Sequence, residues 1–137
     1  MASDPSLAAR RILIVEDDSN ILISIEFLLK DAGHEVAIAR DGREALEAAM
    51  SWRPDLIVLD IMLPLVNGFE VCRQIRASPE LGNVKLLMLT ARGRESEVEK
   101  GLALGADAYL TKPFATQDLV RTVAELLAPA TRPGASG

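Results

Sequence analysis

The chain has one cysteine, few aromatic residues and no long apolar stretch. Among its 137 residues the single cysteine, Cys72, excludes an internal disulfide and is typical of a reducing cytoplasm. Aromatic residues make up 4% of the chain, which leaves little material for stacking nucleic-acid bases. No apolar run approaches the roughly 20 residues of a membrane-spanning helix, and residues 1–11 lack the apolar core of a secretory signal. We therefore expect a cytoplasmic protein with no membrane partner.

The chain also lacks an excess of positive charge. Its formal net charge is -5, which argues against direct binding to nucleic acid. Hydrophobic residues make up 49% and charged residues 26%, the balance of a globular protein. A chain of 137 residues is long enough to bury a single core, so composition predicts one domain.

Short apolar runs, each followed by a polar residue, are the main pattern that is present. Four runs share this design: 12–15 before Glu16, Asp17 and Asp18; 56–59 before Asp60; 86–89 before Thr90; and 109–111 before Lys112. Such runs, separated by helical patterns, are typical of buried strands in a parallel sheet. Because ligands bind outside the carboxyl ends of these strands, we expect the polar residues to meet in one crevice.

The periodicity predicts five strand-then-helix units. We expect strands near 11–16, 35–39, 56–59 (leading to Asp60), 85–90 and 108–111, and helices near 20–31, 43–51, 69–77, 96–104 and 116–127. This is a (βα)5 pattern, which predicts a three-layer α/β/α sandwich around a five-stranded parallel sheet. Residues 1–10 are expected to form a flexible arm, 11–127 the domain and 128–137 a flexible tail.

The acidic residues predict a magnesium site. Glu16, Asp17 and Asp60 would repel one another by a few kcal/mol at an effective dielectric near 20, so a bound cation must offset them. Mg²⁺, held by oxygen ligands, is the simplest candidate. The alternative is that acidic and hydroxyl residues here only cap the first helix, a role open to Asp17, Asp18 and Ser19.

Asp60 fits the role of a nucleophile toward a phosphoryl group. Attack by a carboxylate gives an aspartyl phosphate, and cations must stabilise the approach of two anions. Lys112 and Thr90 could each bind a phosphoryl oxygen. The alternatives are that Lys112 is a solvated lysine and that Thr90 is an ordinary β-branched strand residue. A cis peptide bond between Lys112 and Pro113, if present, would fix where the amine points.

Taken together, these motifs resemble the response-regulator receiver domain (CheY-like) of two-component signalling. The resemblance covers roughly residues 11–127 and implies a flavodoxin-like strand order of 2-1-3-4-5. The matching segments are Ile14-Val15-Glu16-Asp17-Asp18, Asp60-Ile61-Met62-Leu63-Pro64, Asn67-Gly68, Leu89-Thr90-Ala91 and the stretch from Gly105 to Phe114 that ends in Thr111-Lys112-Pro113-Phe114.

The resemblance implies a role for each residue of the acidic pocket. Asp60 matches the phosphoacceptor, and Asp17 matches the direct ligand of Mg²⁺. Glu16 matches the acid that acts on the metal through water. The backbone carbonyl of Met62 matches a further ligand.

The family's signalling residues also have counterparts here. Thr90 and Lys112 match the hydroxyl and the lysine that bind the phosphoryl group, and small Ala91 leaves that group room. Tyr109 matches the switch aromatic, which turns inward as Thr90 shifts. From position and propensity alone, Tyr109 is a half-buried strand aromatic.

The resemblance implies a sensor histidine kinase, or a histidine phosphotransfer protein, as the phosphoryl donor. The output would be a protein bound through the face of the fourth helix, fifth strand and fifth helix. In the winged-helix class of transcription factors, receivers dimerise through charged residues that pair across this face. Val98, Ala108 and Thr122 stand at three of those positions. We therefore expect a single-domain regulator, monomeric or weakly dimeric, that is no enzyme beyond its own phosphorylation and dephosphorylation. The alternative is a receiver excised from a longer transcription factor or hybrid histidine kinase.

Two other classes share parts of this pattern. A magnesium-dependent phosphatase with an aspartate nucleophile would carry Asp-x-Asp after the first strand, whereas here Asp17 is followed two residues later by Ser19. A flavodoxin-like cofactor carrier would need a phosphate-binding loop at this position, and Glu16, Asp17 and Asp18 would repel that phosphate. Both classes fit the sequence less well than a receiver does.

Overall fold

A computed structural model of the protein describes residues 10–63, 65–91 and 95–128. Strands and helices alternate along the chain: β1 (Arg11–Val15), α1 (Ser19–Asp31), β2 (Glu35–Ala39), α2 (Gly42–Trp52), β3 (Leu56–Asp60), α3 (Gly68–Ala77), β4 (Lys85–Ala91), α4 (Glu95–Ala103), β5 (Ala108–Lys112) and α5 (Thr116–Leu127). A short 3₁₀ helix, Pro79–Leu81, precedes β4 and is the one described helix that the sequence did not predict.

The five strands form one parallel sheet in the order β2-β1-β3-β4-β5. The predicted fold class and strand order are therefore confirmed. The register places Asp60 beside Leu89 and Ala91 beside Lys112, so the last residues of β3, β4 and β5 lie at the same edge of the sheet. The polar residues that follow the apolar runs are thus brought to one crevice.

Both faces of the sheet are covered by helices, as alternate residues of β1 show. Leu13 and Val15 pack in a cluster with α2 and α3, whereas Ile12 and Ile14 pack with α1 and α5. All four side chains are fully buried, and burying an aliphatic side chain of this size stabilises a fold by about 1.5–3 kcal/mol. The central strand, β3, is buried along its whole length, so Asp60 is reached only from the end of the strand.

Side-chain caps set where the first three helices begin. Asp18 accepts hydrogen bonds from the backbone N–H groups of Asn20 and Ile21 at the start of α1. Asp41 and Asn67 cap α2 and α3 in the same way. Each cap satisfies donors that a helix cannot pair internally. The capping alternative therefore holds for Asp18.

Several predicted features lie outside the described residues. They are the N-terminal arm up to residue 9, Pro64 of the segment that follows Asp60, and the tail from residue 129. Among the described helices, none is long and apolar enough to cross a membrane.

Candidate functional site

The centre of the site is a lysine placed between two buried carboxylates. Lys112, the last residue of β5, donates a hydrogen bond from Nζ to Oε1 of Glu16 at 2.9 Å. The same Nζ lies 3.3 Å from Oδ2 of Asp60, the last residue of β3. Glu16 is fully buried and Asp60 is 5% exposed. The ends of three strands thus supply one compact charge cluster, in which Glu16 and Lys112 are 96 residues apart in the sequence.

The electrostatics of this cluster shift two pKa values. Burial raises the pKa of Glu16, and the nearby charge of Asp60 raises it further, although the bond from Lys112 opposes both. Burial lowers the pKa of Lys112, but the bond to Glu16 and the charge of Asp60 outweigh that effect, so its pKa is raised overall. Lys112 is therefore held as a cation at neutral pH.

Asp17 completes an acidic group that suits a hard cation. Carboxylate oxygens of Glu16, Asp17 and Asp60 lie within 4.8 Å of one another, and Asp17 alone is exposed. Carboxylate oxygens are the kind of ligand that Mg²⁺ prefers, with water filling the remaining positions of its coordination sphere. Asp18 points elsewhere, because its carboxylate caps α1. The predicted metal residues Glu16, Asp17 and Asp60 are therefore brought together by the fold.

Thr90 follows Leu89 at the same edge of the sheet, one position beyond the partner of Asp60. Its side chain is buried, at 3% exposure, and its Oγ1 has no hydrogen-bond partner among the described residues. An unpaired buried hydroxyl costs about 1–3 kcal/mol, so its retention calls for a ligand or another partner. A phosphoryl oxygen on Asp60 would supply that partner.

The loop after β3 is held against Asp60 at both of its ends. The N–H of Met62 donates to Oδ1 of Asp60 at 3.0 Å, which puts the Met62 backbone beside the carboxylate. At the other end, a Cβ on Gly68 would lie 2.6 Å from the Asp60 carbonyl oxygen and 2.7 Å from Cα of Ile61. Only glycine fits there. Sequence reasoning assigned Gly68 no role, although its place just after the helix-capping Asn67 was a usable signal.

Sequence reasoning also missed that Lys112 bonds to Glu16. It assigned the lysine only to the phosphoryl group, whereas the structure uses the same amine to offset two buried carboxylates. The implied strand order, with β1 beside β3 and β5 beyond β4 on the other side of β3, was the available signal. The peptide bond between Lys112 and Pro113 is cis.

Tyr109 lies on β5 opposite Met88 of β4 and is 46% exposed. It therefore faces outward from the sheet at the site where the resemblance places a switch aromatic. Val98, Ala108 and Thr122 are each partly buried on α4, β5 and α5. All three are uncharged, so the expectation that this face forms no charge pairs at these positions stays a prediction.

Comparisons with known proteins agree with this geometry. The model of the response regulator receiver domain matches residues 12–124. The response regulator MprA of Mycolicibacterium vanbaalenii is 46% identical over 117 residues, which cover 85% of this chain and 50% of that protein. The chain spans about half the length of the curated relatives that it matches.

Solved structures give the same result. The chemotaxis response regulator CheY4 of Vibrio cholerae is 34% identical with a TM-score of 0.82, over 87% of this chain and 99% of that one. The receiver domain of the sensor histidine kinase PA1611 of Pseudomonas aeruginosa, with a magnesium ion coordinated in its active-site cleft, is 33% identical with a TM-score of 0.81, over 88% and 98% of the two chains. With the matched model spanning most of its length, the chain belongs to the family of response regulator receiver domains of two-component systems.

Proposed function

We propose that Asp60 is the phosphoacceptor of this receiver and that its phosphorylation changes a protein-binding face. One observation carries the proposal. A buried carboxylate at the end of the central strand has an ammonium group 3.3 Å away, and the neighbouring strand ends near a buried hydroxyl that has no hydrogen-bond partner among the described residues. A carboxylate nucleophile, a cation and a free donor are the groups that phosphoryl transfer to aspartate needs.

The chemistry follows from where the charges lie. An oxygen of Asp60 attacks the phosphorus of the donor, and the bond from phosphorus to the donor's nitrogen or oxygen breaks with its electron pair on the leaving atom. Lys112 can follow the new phosphoryl group because its amine is already within reach of Asp60. Thr90 can donate its hydroxyl to a second phosphoryl oxygen without breaking any bond among the described residues.

The donor set fits Mg²⁺. Glu16, Asp17 and Asp60 would hold the ion, Glu16 through water, and the Met62 carbonyl would be a further ligand because its backbone already lies beside Asp60. When bound, the ion supplies positive charge that offsets the approach of the anionic phosphoryl group to the carboxylate. Three carboxylates with one lysine leave a net negative pocket, which is why a cation is needed in addition to Lys112.

A protein histidine is the donor that we propose, from a sensor kinase or a histidine phosphotransfer protein. An apolar cleft of about 420 Å³ opens beside the site amine, and it offers a surface to such a donor; its lining residues are Asn20, Ile21, Ser24, Lys112, Pro113 and Phe114. Cys72 is free and buried, which fits the reducing cytoplasm that we propose as the compartment.

The output that we propose is a partner protein bound at the face of α4, β5 and α5. A shift of Thr90 toward the phosphoryl oxygens opens space on β4 that Tyr109 of β5 can fill, because the two strands are paired. Phosphorylation then favours one of two arrangements of that face. Because Val98, Ala108 and Thr122 are uncharged, they offer no charge pairs between two copies of the chain, and we propose a monomer or weak dimer. Since the relatives are about twice as long, an effector domain on the same polypeptide is the second candidate output.

Intact mass after incubation with acetyl phosphate and Mg²⁺ tests the phosphoacceptor. Wild type should gain the mass of one phosphoryl group, and Asp60→Asn should gain none. Asp55→Asn is the matched control, since Asp55 precedes the same strand at its opposite end and should leave the gain unchanged. Equal gain in wild type and Asp60→Asn would remove Asp60 from the proposal.

A further inference from the structure

A second cavity lies at the edge of the sheet opposite to Asp60, where β3 and β4 begin. Its volume is about 330 Å³, which is within the range of small-molecule sites. It is lined by the residue before β1, the turn between α2 and β3, the stretch from the 3₁₀ helix into β4, and the end of α5. Because Asp60 is at the far end of β3, the phosphoacceptor chemistry makes no use of this cavity.

The cavity has an apolar inner surface. Leu81, Val84 and Leu127 line it, and all three are buried. Leu81 and Val84 belong to the core cluster with α2 and α3, whereas Leu127 belongs to the cluster with α1 and α5. Both cores therefore reach the cavity, and their surface can cover the hydrocarbon part of a ligand.

Three cations line the same cavity: Arg10, Arg53 and Lys85. In the part of the chain that the structure describes, none of these three side chains forms an ion pair with a carboxylate. Arg11, at the same edge of the sheet, differs because it pairs with Glu35 and donates to a backbone carbonyl. The three cations are therefore available to an anion that enters the cavity.

The two acidic residues of the cavity only partly offset these cations, and each is held by another donor. Asp55 accepts a hydrogen bond from the backbone N–H of Arg11 at 2.8 Å, and Glu80 accepts one from the Ser78 hydroxyl at 3.0 Å. Three cations against two carboxylates leave surplus positive charge at this cavity, in a chain whose formal net charge is -5. That surplus favours an anionic ligand.

Arg53 lines the cavity from a backbone conformation that glycine favours. Its φ is 55°, and it ends α2 as a left-handed cap. Glycine takes this position in many helices because a Cβ is disfavoured there. An arginine at the cap is explained if its guanidinium is used, since this group stays charged and has a fork of donors that matches an oxyanion.

We propose that this cavity binds a small amphipathic anion. Its carboxylate, sulfonate or phosphate head is bound by the cations, and its apolar body packs against the buried leucine and valine side chains. A volume of about 330 Å³ holds one ring and its head group, whereas a turn of helix with side chains is about 10 Å wide and does not fit. The ligand is therefore a small molecule rather than a helix of a partner protein, and its binding is independent of the proposed role of Asp60.

Amide chemical shifts of the full chain test this proposal, with benzenesulfonate as the probe. A sulfonate has no phosphoryl group to transfer, so the probe leaves Asp60 unmodified. At constant ionic strength it should shift the amides of Leu81, Val84 and Lys85 in a saturable way. Benzenesulfonamide keeps the ring but is neutral, and sulfate keeps the charge but lacks the ring. Each of these should bind about tenfold more weakly, or weaker still.

Variants of Arg53 locate the site. Arg53→Gln and Arg53→Gly should each weaken the binding of benzenesulfonate by about tenfold. Arg53→Gly suits the left-handed cap, so its melting temperature should stay close to that of wild type. Arg43→Gln is the matched control, since it removes an exposed arginine at the other end of α2, and it should leave binding unchanged. Asp60→Asn should also bind as wild type does, which separates this proposal from that of the phosphoacceptor.

Three results would overturn the proposal. Equal binding of benzenesulfonamide would indicate a merely apolar cavity, and equal binding of sulfate would indicate surface charge alone. Unchanged binding in both Arg53 variants would place the probe elsewhere. The proposal also fails if millimolar benzenesulfonate produces no saturable shifts at the cavity.

Discussion

Replacing Lys112 with methionine should destabilise the chain and make its stability depend more strongly on Mg²⁺. Methionine keeps much of the apolar stem of lysine but removes the charge that lies between Glu16 and Asp60. The two carboxylates would then face each other with Asp17 nearby, and among the described residues no other cation is paired with either of them. Since Glu16 is fully buried, water cannot replace the lost partner easily.

The size of the effect follows from the distances. At an effective dielectric near 20, unit charges 2.9 and 3.3 Å apart attract by about 6 and about 5 kcal/mol. Desolvation of three charged groups offsets much of this, and breaking one partner out of a buried pair typically costs about 3–5 kcal/mol. The Lys112 side chain is 22% exposed, so we expect the lower end, about 3 kcal/mol, or roughly 10 °C in melting temperature.

Thermal unfolding measured with EDTA and with millimolar Mg²⁺ tests this reasoning. With EDTA, Lys112→Met should melt well below wild type, and Mg²⁺ should raise its melting temperature more than it raises that of wild type. Lys85→Met is the matched control, because Lys85 begins the neighbouring strand with its side chain exposed. If both variants lose the same stability, or if Mg²⁺ shifts wild type and Lys112→Met equally, the charge cluster does not work as described.

Three further changes have expected outcomes of different kinds. Thr90→Val removes a buried hydroxyl that lacks a partner among the described residues, so the melting temperature should hold or rise, while beryllofluoride, a phosphate mimic, should bind more weakly. Gly68→Ala places a Cβ 2.6 Å from the Asp60 carbonyl and should cost about 1–3 kcal/mol and slow phosphorylation, whereas Gly82→Ala, with its nearest atom at 3.7 Å, should do neither. Burial lowers the pKa of His34 below 6.5, so protonation favours the unfolded chain and stability falls as pH drops below that value. His34→Gln should therefore flatten the fall in melting temperature between about pH 7.5 and 5.5, as thermal scans of both proteins would show.

Most of the fold could be predicted from the sequence, because its apolar runs form strands that are buried on both faces of the sheet. The segments around Leu13 and Val58 read as strands covered on both faces, and both are fully buried in the sheet. Helix ends were predicted to within one or two residues, since caps such as Asp41 are visible in the sequence. The 3₁₀ helix Pro79–Leu81 was missed because three residues carry no periodic pattern.

The sequence predicted which residues form the site but not which of them are in contact. The order of strands implies that Glu16, Asp60 and Lys112 meet, yet the sequence cannot show that the lysine spans both carboxylates. Nor does it reveal the left-handed backbone at Leu65, whose neighbour Val66 lies against Gly42 at the start of α2. Such features depend on distances between separate segments, and no local propensity encodes them.

Chemical trapping of the phosphorylated residue can identify the phosphoacceptor in the wild-type chain. An aspartyl phosphate is an acyl phosphate, which borohydride reduces to the alcohol homoserine, so the modified position can be read by peptide mass spectrometry. After reaction with acetyl phosphate and Mg²⁺, we expect homoserine at Asp60 and at no other acidic residue. Homoserine at Asp17, or at no position in a chain that has gained phosphate, would contradict it.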